Sequence, residues 1–157
     1  MSNAEGKSSF VYVTYIRTTP ENLWRALIEP EFTRQFWAGT WQECEWKQGA
    51  PWRIMIPDGR IGDNGEVLEI EPNKRLVLSW RNAFKPELRA EGFSRLTYQL
   101  EPDGEMVKLT VTHEIDRPQS KLIEAVSDGW PLILASLKSL LETGESLAAT
   151  RTWPEGV

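Results

Sequence analysis

The chain has 157 residues, with 18 Lys and Arg against 23 Asp and Glu, so its formal net charge is −5. An acidic chain with interspersed signs argues against a nucleic-acid binder, which needs a basic face to displace phosphate counterions. One cysteine, Cys44, and one histidine, His113, exclude an internal disulfide, a His/Cys metal cluster and any two-histidine mechanism.

Residues 1–9 have no apolar core and are no secretory signal; they read as a flexible N-terminus or tag remnant. Phe10–Ile16 is rich in β-branched and aromatic residues and predicts a strand. Thr19-Pro20-Glu21 is a helix start, with Thr19 as N-cap and Pro20 at the first helical position. Leu23, Trp24, Leu27 and Ile28 share one face of that helix. Glu29-Pro30-Glu31 restarts a second short helix carrying Phe32, Phe36 and Trp37. From Thr40 the period changes to two. Trp41–Trp46, Trp52–Ile56, Gly65–Glu71, Arg75–Arg81, Phe93–Glu101 and Met106–Glu114 read as strands, separated by turn residues that favour antiparallel hairpins. Gly59-Arg60-Ile61-Gly62 reads as one of these turns. Pro118–Val126 is helical, and Asp128-Gly129-Trp130-Pro131 predicts an interruption. A broad apolar stripe from Leu132 to Leu141 follows, and Gly144 is the expected stop. Residues 145–157 read as a tail, with Trp153 able to fold back.

The order β-α-α-β-β-β-β-β-β-α predicts one α+β domain over residues 10–144. Its antiparallel sheet of about seven strands wraps around a long C-terminal helix. The space between helix and sheet is either filled by side chains or holds a ligand.

Thr19-Pro20-Glu21-x-Leu23-Trp24-x-Ala26-Leu27-x-x-Pro30-Glu31 resembles the opening of the helix-grip (START-like, SRPBCC) superfamily of START domains, polyketide cyclases and the birch-pollen allergen. Gly65-x-Val67-x-Glu69-Ile70-x-Pro72-x-x-Arg75-Leu76-Val77-x-Ser79-Trp80 is similar to bacterial homologues of the activator of the heat-shock protein 90 ATPase. Leu109–Glu114 and Gly129-Trp130-x-x-x-Leu134-x-x-Leu137 match the same group, so the resemblance spans about residues 10–144. One departure is Gly49-Ala50-Pro51, where many relatives have Gly-Gly after the second strand. Folds of this kind host lipid transport, hormone binding, cyclisation and chaperone regulation alike, so the site must decide the function.

Alternation places His113 on the inward face with Leu109, Val111 and Ile115, as a general acid/base, a polar pocket anchor, or a core histidine satisfied by a neighbour such as Tyr98. Glu43/Glu45 and Glu69/Glu71 are same-face carboxylate pairs, either an acid/base pair or a solvated sheet face. Cys44 between two glutamates is a poor nucleophile. Phosphate-loop and dinucleotide fingerprints are missing. The aromatics carry more signal. The expected ligand-binding set is Phe36, Trp37, Trp52, Trp80, Tyr98, His113, Trp130 and Leu134, with no catalytic residue and no metal ligand assigned.

The favoured expectation is a domain holding an apolar or aromatic small molecule in a tunnel between sheet and C-terminal helix, without a cofactor. The alternatives are a cyclase- or hydrolase-type enzyme using His113, and the chaperone-ATPase regulation that the resemblance implies. A homodimer is left open, and neither nucleic acid nor membrane insertion is expected. A lone thiol without a signal sequence fits a cytoplasmic location.

Overall fold

The computed structural model describes residues 6–157. Residues 1–5, part of the expected N-terminal extension, lie outside the described residues. Strand β1 (Ser8–Ile16) starts two residues before the expected position. Ser8 is buried, and its hydroxyl donates to the Arg117 carbonyl (2.7 Å) and accepts from the Ser120 amide (3.1 Å).

Helix α1 (Pro20–Ile28) forms as its start signal dictates: the Thr19 hydroxyl accepts from the Asn22 amide, satisfying a donor that has no partner inside the helix. It buries Leu23, Trp24, Ala26 and Leu27. Pro30 forces Glu29 into extended backbone, which separates α1 from α2 (Pro30–Phe36).

The strands that follow are β2 (Trp41–Cys44), β3 (Pro51–Met55), β4 (Ile61–Glu71), β5 (Arg75–Asn82), β6 (Ser94–Asp103) and β7 (Met106–Ile115). Together with β1 they form one antiparallel seven-stranded sheet in the order β1-β7-β6-β5-β4-β3-β2. Two differences from the expected elements matter. A short helix α3 (Pro86–Arg89) interrupts the β5–β6 connection. The segment expected to turn at 59–62 is already strand from Ile61, because Ile61 and Asp63 pair with Met55 and Ile54 of β3.

Helix α4 (Lys121–Thr143) lies in the grip of the sheet, capped by Ser120 at one end and by left-handed Gly144 at the other. It runs unbroken through Gly129-Trp130-Pro131, where an interruption was expected. Pro131 removes one backbone donor, but Trp130 (3% exposed), Leu134 (1%) and Leu137 (0%) anchor both halves to the same core. Burial of three large side chains outweighs a local cost of about 3 kcal/mol.

The inner face of the sheet supplies Leu76, Leu78 and Trp80 from β5, Leu96, Tyr98 and Leu100 from β6, and Leu109 and Val111 from β7. Residues 145–157 return to this body: the Ala38 amide donates to the Thr150 carbonyl (2.6 Å), and the Thr150 hydroxyl donates to Ser136 Oγ (2.6 Å). Trp153 packs edge-on against Phe84 at 5.6 Å.

Candidate functional site

Strand alternation turns Trp80 inward with Leu76 and Leu78. Trp130 faces it from α4, and Trp37 reaches it from the end of α2. The ring centroids are 6.0 Å apart for Trp37–Trp80, 5.3 Å for Trp37–Trp130 and 5.8 Å for Trp80–Trp130. These three indoles line a cavity of about 210 Å³. Ile54, Gly62, Asp63 and Asn82 wall it on the sheet side. Leu122, Ala125, Val126, Gly129 and Ile133 wall it from α4, and Phe84, Lys85 and Trp153 stand at its rim.

The indoles are held by their N–H groups. Trp80 Nε1 donates to Asp63 Oδ1 (2.9 Å) and Trp130 Nε1 to His113 Nδ1 (3.2 Å). That second bond leaves Nδ1 without a proton and assigns the ring hydrogen to Nε2, 2.8 Å from Ser94 Oγ, which donates onward to the Trp80 carbonyl (2.8 Å). Behind them Trp52 Nε1 donates to Gln42 Oε1 (2.8 Å), and Gln42 Nε2 to the Leu27 carbonyl (2.7 Å).

Two groups beside the cavity have displaced pKa values. Burial pushes the Asp63 carboxyl up to about 7, against the lowering effect of hydrogen bonds from Trp80 and Asn82. Asp63 is half-buried by accessible surface although protein atoms enclose it; its accessible part belongs to the cavity wall. Burial pushes His113 down to about 3, so the imidazole is neutral.

Of the eight residues expected at the site, Trp37, Trp80 and Trp130 line the cavity. Phe36, Trp52, Tyr98, His113 and Leu134 are buried behind it as core, each at most 3% exposed. Side chains therefore fill the middle of the expected tunnel, and open space survives only toward the N-terminal half of α4. His113 is 0% exposed with both ring nitrogens engaged, so no substrate reaches it as an acid/base. Glu43 pairs with Arg53 at 2.6 Å, and Glu69 with Arg75 and Arg95, all on the solvated face. Burial raises the Cys44 thiol, which opposes thiolate chemistry.

Asp63 precedes the strand expected to begin at Gly65 and was not among the expected site residues. Counting back from the Glu71–Arg75 pair puts Asn64 opposite Asn82. A bulge between Val67 and Glu69 shifts the register by one, so Asp63 pairs with Asn82 and faces inward beside Trp80. Gly65 permits this course: a Cβ there would lie 1.8 Å from the Ser79 carbonyl oxygen. A larger depression of about 890 Å³ lies on the outer face beside Glu43, Arg53, Asn64 and Ser79. It is open to solvent, and its wall combines the Glu43–Arg53 ion pair with Pro51, Trp52, Ile61 and Phe93. Among the described residues no group of three His, Cys, Asp or Glu could hold a metal ion. No helix among them is long and apolar enough to cross a membrane.

The fold has many counterparts among solved structures. MLL2253 from Mesorhizobium loti is 28% identical, with a TM-score of 0.73 over 86% of this chain and 97% of that one. The Aha1 dimer from Colwellia psychrerythraea is 18% identical, with a TM-score of 0.69 over 88% and 99%. CalU16 from Micromonospora echinospora is 19% identical, with a TM-score of 0.69 over 90% and 78%. No curated protein is significantly similar to the chain. The model of the family described as "Activator of Hsp90 ATPase homolog 1-like protein" matches residues 17–142. With that match over most of its length and the helix-grip architecture, the chain belongs to the Activator of Hsp90 ATPase homolog 1-like family, within the START-like superfamily.

Proposed function

We propose that this START-like domain binds a small aromatic or apolar molecule in the cavity that Trp37, Trp80 and Trp130 line. The carrying observation is the convergence of three indoles, all within 6.0 Å of one another, on a cavity that the core leaves unfilled. Rigid aromatic walls bury large ligand area at little entropic cost. A volume of about 210 Å³ is below the roughly 300–1,000 Å³ of drug-sized sites, which favours a one-ring ligand. The neighbour DynU16 is described as a putative protein in the dynemicin biosynthetic locus, which is compatible with small-molecule work by this fold. Titration of one-ring and two-ring aromatics while following tryptophan emission tests the reading. Saturable quenching or a blue shift is expected; an unchanged spectrum across the panel overturns it.

We also propose a homodimer through the β1 edge. Val11, Val13 and Tyr15 are 57%, 45% and 42% exposed on alternate positions of this edge strand, and the Colwellia psychrerythraea neighbour is a dimer. Sedimentation velocity of wild type and Val13→Lys checks it: a dimer reduced to monomer is expected, and a monomeric wild type at all concentrations overturns it.

A further inference from the structure

Asp63 is the acidic side chain of the cavity wall, and its environment is unusual for a carboxyl group. Neutral donors hold it: the indole of Trp80 at 2.9 Å and the amide of Asn82. Among the described residues no cation pairs with it. Lys85, the charged group at the rim, places its Nζ over the Phe84 ring at 5.7 Å instead. Opposite Asp63, the α4 wall is Ala125, Val126, Gly129, Trp130 and Ile133, without charge. Glu124 and Asp128 of α4 face a separate outer depression that they share with Lys85.

An ionised carboxylate enclosed by aromatic and aliphatic walls is costly until a counter-charge arrives. The same walls attract cations, because indole faces carry negative electrostatic potential. The rim already shows this preference: Arg60 lies over Phe84 at 5.5 Å from the ring centre, as Lys85 does on that ring. An anionic ligand would meet the Asp63 carboxylate, which repels it. Resting on the aromatic-ligand reading above, we infer that the cavity selects a small organic cation. Its protonated or quaternary amine sits beside the Asp63 carboxylate in the cavity wall, with a compact ring against Trp37.

A volume of about 210 Å³, below that of drug-sized sites, suits one ring with a short ammonium arm. Binding then restores the charged form of Asp63, so an amine that arrives protonated displaces the carboxyl proton to solvent. Ligand affinity rises with pH until Asp63 is ionised in the free protein.

The test titrates the full chain with benzylamine, benzyltrimethylammonium, benzyl alcohol and phenylacetate at about pH 8, by calorimetry and tryptophan emission. Both cations are expected to bind about tenfold or more tightly than benzyl alcohol, and Asp63→Asn to abolish that preference. If benzyl alcohol or phenylacetate binds as tightly as the cations, the cation preference falls and the aromatic pocket stands. If none of the four binds, the pocket reading falls and the cation preference with it. The fixed charge of benzyltrimethylammonium gives a second readout that does not depend on the variant folding. Its affinity for wild type should drop about tenfold or more between about pH 8 and pH 5.5 as Asp63 takes up a proton, and a pH-independent affinity overturns the proposal.

Discussion

Asp63 accepts the indole N–H of Trp80 at 2.9 Å across two strands whose register a bulge has shifted by one residue. This pair joins the fold to the site: the bond orients the ring that forms one cavity wall, and burial beside the ring sets the carboxyl proton affinity.

The proton on Asp63 should be visible in stability. Its folded-state pKa of about 7 lies above its ordinary 3.8, so its contribution is fully present below about pH 4 and is lost as pH rises through 7. Asp63→Asn keeps an acceptor for Trp80 without the charge. The variant is expected to match wild type near pH 4 and to exceed it by about 2–4 kcal/mol near pH 8, in urea unfolding at both pH values. An equal difference at the two pH values refutes ionisation as the cause.

His113 works in the opposite direction. Its pKa of about 3 lies below the ordinary 6.5, so its contribution is present above about pH 6.5 and is lost as pH falls toward 3, where the unfolded chain takes up a proton that the core refuses. His113→Gln should cost about 2–4 kcal/mol near neutral pH, from the lost Trp130 and Ser94 partners and imperfect packing. The gap between variant and wild type should narrow as unfolding is measured at successively lower pH. A gap that widens in acid would show the imidazole to be charged in the folded protein.

Gly65 has a steric role. A Cβ at that position meets the Ser79 carbonyl oxygen at 1.8 Å and its carbonyl carbon at 2.5 Å. Backbone on both sides cannot yield as a side chain would, so Gly65→Ala should lose about 3 kcal/mol or more, or fail to fold. Thermal unfolding measures this, and a loss under about 1 kcal/mol would mean that the strands separate easily.

Gly129 behaves differently although it is also a glycine. It sits inside α4 in the cavity wall, and an added Cβ meets nothing within 4 Å. Gly129→Ala should stabilise the helix by about 0.5–1 kcal/mol. Gly129→Leu should fold and lose ligand-induced quenching by filling the space. Retained quenching in the leucine variant would place the ligand elsewhere.

Removing the Trp153 ring tests the rim. Trp153→Ala loses its edge contact with Phe84 and opens the cavity mouth. Stability should change by less than about 1 kcal/mol, since the ring is half-buried, while ligand dissociation in stopped-flow emission should speed up several-fold.

Much of the fold is local and was legible for that reason. Thr19 and Pro20 start α1 and Pro30 separates α2, while the alternation of Leu76, Leu78 and Trp80 orients β5, all through interactions within a few residues. The inward position of His113 and the convergence of Trp37, Trp80 and Trp130 followed from those periods and the helix-grip arrangement. Tertiary structure alone decided which space stays open. Tyr98, Trp52 and Leu134 pack to completion and close the middle of the expected tunnel, a matter of summed volumes that no period encodes. It carried α4 through Pro131, because burial on both sides outweighed one missing hydrogen bond. It also turned Asp63 inward, because a single bulged residue reverses which face every preceding side chain of β4 occupies.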